Sequence, residues 1–370
     1  MNILFFELIQ IGIGTRDRLT QVPSDAEWQD ILRLAHEQAI VGVLLSAIEQ
    51  LPAEHRPEKD VLLQWIGEAR IIRARNEVLD KRVVELCKAM DAEGVSMLVF
   101  KGQTLARLYH DKSLRQSGDI DFYVHDNDWL RAIAWLNDQR ERGEIDNYED
   151  NTTIKDVQYS YRGVAYEMHR MLVAFSARGH QRYWNKVVVP EIWQSVSHVN
   201  INDYDVPTLS PVMNVLYVFV HIFEHLISDG VGLRQFVDWF YIIDSIQLTD
   251  DCRITLERHL KGLGLLKAYK GLGAILTDYL GLPKERFQFE ISDQDHKDAA
   301  KLVENIIQMG NFGHNVQYQQ NKGVIHGVQH LKRIYRQARL FGHYAPLEAW
   351  CKLPSMIEWW GRKISRMVCK

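Results

Sequence analysis

The chain has 370 residues, of which 46% are apolar and 25% are charged, a composition typical of a soluble protein with two or three domains. Its net charge of -4 argues against broad, nonspecific nucleic-acid binding. The 4 cysteines lack C-x-x-C spacing, which excludes a zinc ribbon and gives no sign of a disulfide framework. Because no apolar run is long enough to span a bilayer and the N-terminus lacks the basic start of a signal peptide, we expect a cytoplasmic protein without a transmembrane segment.

Residues 1–93 have the apolar periodicity of helices and predict a helical N-terminal region. Ser24 is placed to cap a helix that carries Glu27 in its first turn. From Val61 to Met90, apolar residues recur at steps of three and four, and this pattern predicts one long helix. Asn76 interrupts the apolar stripe.

The period changes in residues 94–208, for which we predict an α/β core. A strand at Ser96–Phe100 runs into Lys101-Gly102, where a residue without Cβ allows a sharp turn and the close approach of a phosphate. A helix from Gln103 to Tyr109 follows, and the next strand, Asp119–Val124, is expected to pair in parallel with the first through a right-handed connection.

Further elements follow in the same region. Asp126-Asn127-Asp128 is expected to cap a helix from Trp129 to Arg140. Gln158–Tyr161 and Val164–His169, joined by Arg162-Gly163, predict a hairpin whose sheet continues the strand at residue 119.

Three carboxylates lie on these apolar strands. Asp119 and Asp121 are two residues apart and therefore point to one face, while Ile120 and Phe122 point into the core. Glu167 lies on the hairpin strand. Carboxylates beside a glycine turn are the groups that metal-dependent phosphoryl or nucleotidyl transfer needs, because they hold the ions that neutralise a triphosphate.

The acidic pattern also has structural interpretations. A chain with 48 acidic residues among 370 contains an acid-x-acid pattern about six times by chance, so the weight comes from the apolar strands around it. Asp119 and Asp121 could instead end a strand in a solvated loop, and Glu167 could face solvent.

Residues 209–370 predict a helical C-terminal domain. One apolar helix begins at Pro211 and is expected to end at Asp229-Gly230. The helices expected after it are Leu233–Ile246, Ile254–Leu280, His296–Met309 and Val324–Phe341, and Leu347–Met367 carries several tryptophans. That last segment could bind a membrane surface or a partner, but an aromatic stripe more often packs against its own domain.

A second metal motif lies in this domain. His221, Glu224 and His225 match His-x-x-Glu-His, in which two histidines one helical turn apart can hold zinc for hydrolysis. The histidines could equally be polar groups where two helices pack together.

The motifs together resemble those of the uncharacterised nucleotidyltransferases of the polymerase-beta-like superfamily. The resemblance covers residues 96 to about 313. Its motifs are Lys101-Gly102-Gln103, Arg115, Asp119-Ile-Asp121, Glu167 with His169, His221 with His225, and Gly232-Leu-Arg234-Gln235 followed by Asp238.

The resemblance implies an α+β protein with a nucleotidyltransferase-like mixed β-sheet core between helical N-terminal and C-terminal regions. It implies transfer of a nucleotidyl group from an NTP, expected to be ATP, with Mg²⁺ or Mn²⁺ as cofactor. The acceptor could be a small molecule, a peptide or a protein. Metal binding and catalysis are assigned to Asp119, Asp121 and Glu167.

The other site residues keep two interpretations. Lys101, Gly102, Gln103, Arg115 and Arg234 are assigned to nucleotide binding, and the basic ones could instead pair with the acids or with Asp238. The residues assigned to substrate contact or to support of the acids are His169, His221, His225 and Asp238.

Gln103 stands where well-studied nucleotidyltransferases have a small residue. A catalytically weak nucleotide-binding or protein-interaction module is therefore the alternative function. A zinc hydrolase that uses His221, Glu224 and His225 is the third.

Overall fold

The computed structural model describes residues 3–150, 155–228, 230–246, 249–311 and 324–354, without the side chains of residues 324–329. Helices precede and follow a mixed five-stranded sheet along the chain, which confirms the predicted α+β class. Within the described ranges, none of the helices combines the length and the apolar character needed to cross a membrane.

The N-terminal region is helical as predicted. Ser24 forms a capping box: its hydroxyl accepts the Glu27 N–H, and the Glu27 carboxylate accepts the Ser24 N–H at 2.8 Å. The helices of this region are α1 (Ile3–Gly12), α2 (Asp25–Glu37), α3 (Val41–Gln50) and α4 (Lys59–Ala92).

Helix α4 follows the long apolar stripe, and the structure explains why Asn76 interrupts it. The Asn76 side chain is buried and donates to the carbonyls of Ser113, at 2.7 Å, and Arg115, at 2.8 Å. An apolar residue here would leave two carbonyls without a donor. Asn76 therefore anchors the segment before the second strand to α4.

The sheet has the order β1-β2-β5-β4-β3. Strands β2 and β5 pair in parallel, and β3, β4 and β5 form antiparallel pairs. The strands are β1 (Met97–Val99), β2 (Asp119–Val124), β3 (Ile145–Asp150), β4 (Asp156–Tyr161) and β5 (Val164–His169).

The expectation that the first two strands pair in parallel is wrong, because β1 and β2 are antiparallel. Parallel neighbours need a crossover, usually a helix that packs across the sheet. The predicted helix Gln103–Tyr109 is shorter in the structure, where α5 spans only Gly102–Ala106. The chain therefore folds back along the strand that it has just left.

The predicted hairpin is confirmed. Arg162 and Gly163 form its turn with φ of 49° and 77°, as a two-residue turn of this kind requires. Helix α6 (Trp129–Glu141) is also confirmed, but the expected acidic cap is not. The Asp128 carboxylate accepts the Ser96 N–H at 2.9 Å instead of capping α6.

A small hairpin that was not predicted from the sequence precedes the C-terminal helices. The hairpin and the helices around and after it are α7 (Arg178–Tyr183), α8 (Val189–Gln194), β6 (Ser197–Ile201), β7 (Tyr204–Thr208), α9 (Pro211–Leu226), α10 (Leu233–Ser245), α11 (Asp250–Gly262), α12 (Leu266–Asp278), α13 (Asp293–Met309) and α14 (Val324–Phe341).

The single helix expected from Ile254 to Leu280 is wrong. Helices α11 and α12 are separated at Gly264, whose φ of +62° ends the helical path. Residues 346–354 are helical, and the rest of the tryptophan-rich segment lies outside the described residues. Helix α9 ends at Leu226, a few residues before the expected end at Asp229-Gly230, of which residue 229 lies outside the described residues.

Two hydrophobic cores meet at β2. Ile120 and Phe122 are buried in the core beneath the sheet, together with the second half of α4. Tyr123, on the opposite face of β2, is buried in the larger helical core with Phe100 and Tyr217. The face of β2 that carries Asp119 and Asp121 is therefore the face toward the helices. The division of the chain at residues 93 and 208 stays a prediction.

Replacing Asn76 with Ala removes the donor for the Ser113 and Arg115 carbonyls. We expect Asn76→Ala to lower the free energy of unfolding by about 1 to 3 kcal/mol in urea denaturation, the cost of buried groups that lose their partner. Gln64→Ala, on the exposed side of the same helix, is the control and should stay within about 0.5 kcal/mol of the parent. Equal losses in the two variants would contradict the anchoring role.

Candidate active site

The parallel pairing of β2 with β5 brings two carboxylates side by side. In the register of the two strands Asp121 is the partner of Glu167, while Asp119 is the partner of Ala165. Neighbouring strands lie about 4.8 Å apart, so the Asp121 and Glu167 side chains stand next to each other on one face. A strand-end pair in a solvated loop is ruled out for Asp121, which is buried within the sheet.

His169 completes this acidic group. Its Nε2 lies 3.0 Å from Asp121 Oδ1 and 3.4 Å from Glu167 Oε2. The amide of Gln158, on β4, donates to Glu167 Oε1 at 3.1 Å. Within the described ranges, Asp121, Glu167 and His169 form the group whose ligand atoms lie within 4.8 Å of one another, close enough for one metal ion.

This group differs from the trio named from the sequence, because His169 takes the place of Asp119. Asp119 lies beside the group, with Ala165 rather than a carboxylate as its strand partner. Carboxylate oxygens suit Mg²⁺ and Mn²⁺, and the buried Asp121 with the half-buried Asp119 and Glu167 fits such an ion.

The charges of the site shift the ionisation of its members in opposite directions. Burial and repulsion by Asp121 raise the pKa of Asp119 to about 6. Burial opposes ionisation of Asp121 as well, but Lys101 and a hydrogen bond from His169 outweigh it and hold the pKa of Asp121 below its usual value. The same bond to Asp121 raises the pKa of His169 against the effect of burial.

The turn at Lys101-Gly102 lies against β2. Lys101 Nζ is 3.2 Å from Asp121 Oδ1, and the Phe100 N–H donates to the Asp121 carbonyl at 3.2 Å. Both turn residues have positive φ, 58° at Lys101 and 40° at Gly102. A Cβ on Gly102 would lie 3.6 Å from the Asp119 carbonyl, so the turn closely approaches the acidic strand.

The Gln103 side chain is turned away from the acids. It is 2% exposed and donates to the Asp80 carboxylate on α4 at 2.5 Å, where Asp80 also pairs with Arg107. Gln103 can therefore offer the site its backbone N–H but not its amide.

Arg115 and Asp238, both assigned to the site from the sequence, form a buried ion pair. Arg115 Nε and Nη2 donate to the two Asp238 oxygens at 2.8 and 2.7 Å, and the Tyr109 hydroxyl donates to Asp238 at 2.6 Å. Only 3% of Arg115 and 4% of Asp238 are exposed. The geometry favours the structural interpretation of these two residues, because their charged groups are already paired with each other.

Arg234, in contrast, keeps part of its guanidinium available. Arg234 is half-buried and donates from Nη1 to the Gln116 carbonyl, while its Nε is buried and makes no hydrogen bond among the described residues. Burial and the nearby Arg115 lower the pKa of Arg234, and Asp119 counteracts that shift. The Nε–H of Arg234 is thus a donor without a described acceptor, near Asp119.

Helix α9 brings His221 and His225 to the same region, but not as a zinc site. Their ring centroids lie 4.5 Å apart. Glu224 lies 3.7 Å from Lys155. Among the described residues, the cluster of ligand atoms close enough to hold a metal ion contains neither of the two histidines nor Glu224. The structure therefore does not assemble His221, Glu224 and His225 as a metal centre.

Sequence patterns did not indicate three further residues near the site, Lys155, Gln158 and Tyr217. Lys155 immediately precedes β4, and Gln158 is the strand partner of Glu167. Tyr217 lies four residues before His221, so continuing the histidine spacing back by one turn would have indicated it. Lys155 offered no comparable signal, because a lysine before a strand is common.

A mixed sheet with paired carboxylates beside a glycine turn fits the nucleotidyltransferase-like core that the sequence motifs predicted. The family described as uncharacterised nucleotidyltransferase matches residues 24–281, more than half of the chain. The chain belongs to this family, which confirms the resemblance noted from its motifs.

A solved structure, an antigenic nucleotidyltransferase-like protein from Paracoccidioides brasiliensis, is also similar to this chain. The similarity covers 55% of this chain and 92% of that chain, with 15% sequence identity and a TM-score of 0.35. A comparison with curated proteins gave no match.

The raised pKa of Asp119 has a consequence for stability. The unfolded chain releases this proton near pH 3.9 and the native protein near pH 6, so ionised Asp119 destabilises the metal-free fold above pH 6. We expect Asp119→Asn to raise the free energy of unfolding by about 1 to 2 kcal/mol at pH 8, and the gain should vanish near pH 4. Urea denaturation with a chelator present measures both values.

Asp121→Asn serves as the matched control. The ionised Asp121 is stabilised by Lys101 and His169, so this variant should lose stability at pH 8. If both variants are less stable than the parent at pH 8, ionised Asp119 is not destabilised by repulsion from Asp121.

Proposed function

We propose that this protein transfers a nucleotidyl group from an NTP, with ATP the first candidate, to a hydroxyl or phosphate acceptor and releases pyrophosphate. The observation that carries the proposal is the pairing of Asp121 with Glu167 across β2 and β5, with His169 and Lys101 in contact with Asp121. Membership of the nucleotidyltransferase family supports the reaction class.

Asp121, Glu167 and the neighbouring Asp119 would hold the divalent cation, Mg²⁺ or Mn²⁺. The cation supplies charge neutralisation of the triphosphate and activation of the attacking oxygen. His169 keeps Asp121 ionised and oriented, because its Nε2 is bonded to Asp121 Oδ1. Asp119 would supply a further oxygen ligand beside this group.

The triphosphate would lie along the turn that follows β1. The amides of Gly102 and Gln103 have no partner within the short helix that they begin, and Lys101 adds a positive charge. Arg234 lies near Asp119 and would add a second positive charge beside the phosphates.

The transfer forms a bond between the acceptor oxygen and the α-phosphorus while the bond to pyrophosphate breaks, in line with the attack. Glu167 would accept the acceptor proton. It is the more exposed member of its pair, with 29% of the side chain accessible against 5% for Asp121. An acceptor can therefore approach Glu167 more readily than Asp121.

The alternative of a catalytically weak module was motivated by Gln103. The Gln103 side chain, however, lies away from the acids and contacts Asp80. The geometry gives that alternative no specific support.

Asp121→Asn should reduce pyrophosphate release by at least about 100-fold, because the variant removes one ligand charge and the partner of Lys101 and His169. Release is measured with each of the four NTPs. Asp126→Asn, an exposed acid just beyond the same strand, should leave the rate unchanged. Full activity in Asp121→Asn would refute the proposed mechanism.

Gly102→Val should weaken binding of Mg-NTP at least tenfold by calorimetry. A β-branched residue at a φ of 40° is strained by about 1 to 3 kcal/mol and adds bulk beside the Asp119 carbonyl. The control is Gly67→Val on the open face of α4, where an added Cβ meets nothing within 4 Å. If Gly102→Val binds the nucleotide like the parent, the phosphates must bind elsewhere.

A further inference from the structure

Helix α9 carries a polar stripe in an otherwise apolar, buried helix. Tyr217, His221 and Glu224 follow one another at steps of four and three residues, which places them on one helix face. Tyr217 is 0% exposed and His221 is 7% exposed. Buried polar side chains at this spacing need partners, and the position of the stripe shows where these can come from.

The stripe lies beside the proposed reaction centre. The Tyr217 ring packs against Phe100, with centroids 5.1 Å apart, and Lys101 Nζ lies 5.9 Å from the Tyr217 centroid. Burial raises the pKa of Tyr217 and Lys155 opposes this, while the charge of Asp121 adds to it. The stripe therefore borders the carboxylate pair on the side of α9.

Two polar atoms of the stripe lack partners. The Tyr217 hydroxyl and His221 Nδ1 are buried and make no hydrogen bond among the described residues. A buried polar group that stays unpaired destabilises the protein, so a bound partner is favoured here. Burial and the neighbouring Lys101 lower the pKa of His221, so its ring is neutral and can donate from one nitrogen.

Lys155 supplies positive charge at the same place. Its side chain is 17% exposed, and its Nζ lies 3.7 Å from Glu224 Oε2, longer than an ordinary hydrogen bond. Lys352, on the C-terminal helical segment, also acts on the charge of Glu224. The single carboxylate of the stripe thus interacts with both lysines, and Lys155 is the positively charged group that also acts on Tyr217.

We propose that Lys155, Tyr217 and His221 form the acceptor subsite, and that the acceptor bears a phosphate group that this subsite binds. An ammonium, a phenol and an imidazole offer three donors of different type, which suits the three terminal oxygens of a phosphate monoester. The inference rests on the proposed function, since it assigns the second substrate of the same centre.

The test is calorimetric titration of inorganic phosphate into the full chain, saturated with Mg²⁺ and the non-hydrolysable analogue α,β-methylene-ATP. We expect Lys155→Met to weaken phosphate binding at least tenfold and Tyr217→Phe to weaken it at least threefold. Lys155→Arg should retain most of the affinity. Lys81→Met, which removes an exposed lysine of α4, should behave as the parent.

Three outcomes would overturn the inference. These are no phosphate binding by the parent, phosphate binding that Lys155→Met and Tyr217→Phe leave unchanged, and tighter binding of acetate than of phosphate. Circular dichroism of each variant shows whether it is folded. If Lys155→Met does not fold, Lys155→Arg tests whether a positive charge at this position is sufficient for phosphate binding.

The titration is repeated without nucleotide to separate the proposed nucleotidyl transfer from the proposed acceptor subsite. Failure of the analogue to bind would refute the proposed function, and the phosphate titration would still give its own answer. Phosphate binding that depends on Lys155 would then support the subsite, and binding independent of Lys155 would overturn it.

Discussion

The structure depends on the register between β2 and β5, which sets Asp121 directly beside Glu167. Two carboxylates at this distance in a largely buried place repel each other, and burial makes each charge harder to keep. The protein compensates at Asp121 with the ammonium of Lys101 and with a hydrogen bond from the ring of His169. The turn after β1 and the end of β5 are positioned by this requirement.

The compensation strains the backbone. Lys101 has φ of 58° and ψ of -147°, a conformation that costs a residue with a Cβ of order 1 to 3 kcal/mol. Such a residue persists only where its surroundings fix it. Here the bond from the Phe100 N–H to the Asp121 carbonyl fixes one side, and the pairing of Asp121 with Nζ fixes the other. The strained residue is thus the one whose ammonium group pairs with Asp121.

The sequence was sufficient for features that follow from local periodicity. Helix α4, the β4-β5 hairpin and the shared face of Asp119 and Asp121 are set by spacing within a few residues. Long-range features could not be predicted in this way. The antiparallel pairing of β1, the place of His169 beside Asp121, and the burial of Arg115 against Asp238 each depend on contacts between distant segments.

The turn at Arg162-Gly163 lies at the far end of the hairpin and yet decides which chemistry the sheet presents. Residues alternate across β5, with Tyr166 and Met168 in the core beneath the sheet and Glu167 and His169 on the other face. One inserted residue in that turn would shift the register by one and exchange the two faces. The aromatic ring of Tyr166 and the thioether of Met168 would then lie where the acids meet, and a carboxylate would be forced into an apolar interior. The length of this turn is therefore as much a part of the reaction centre as the side chains that line it.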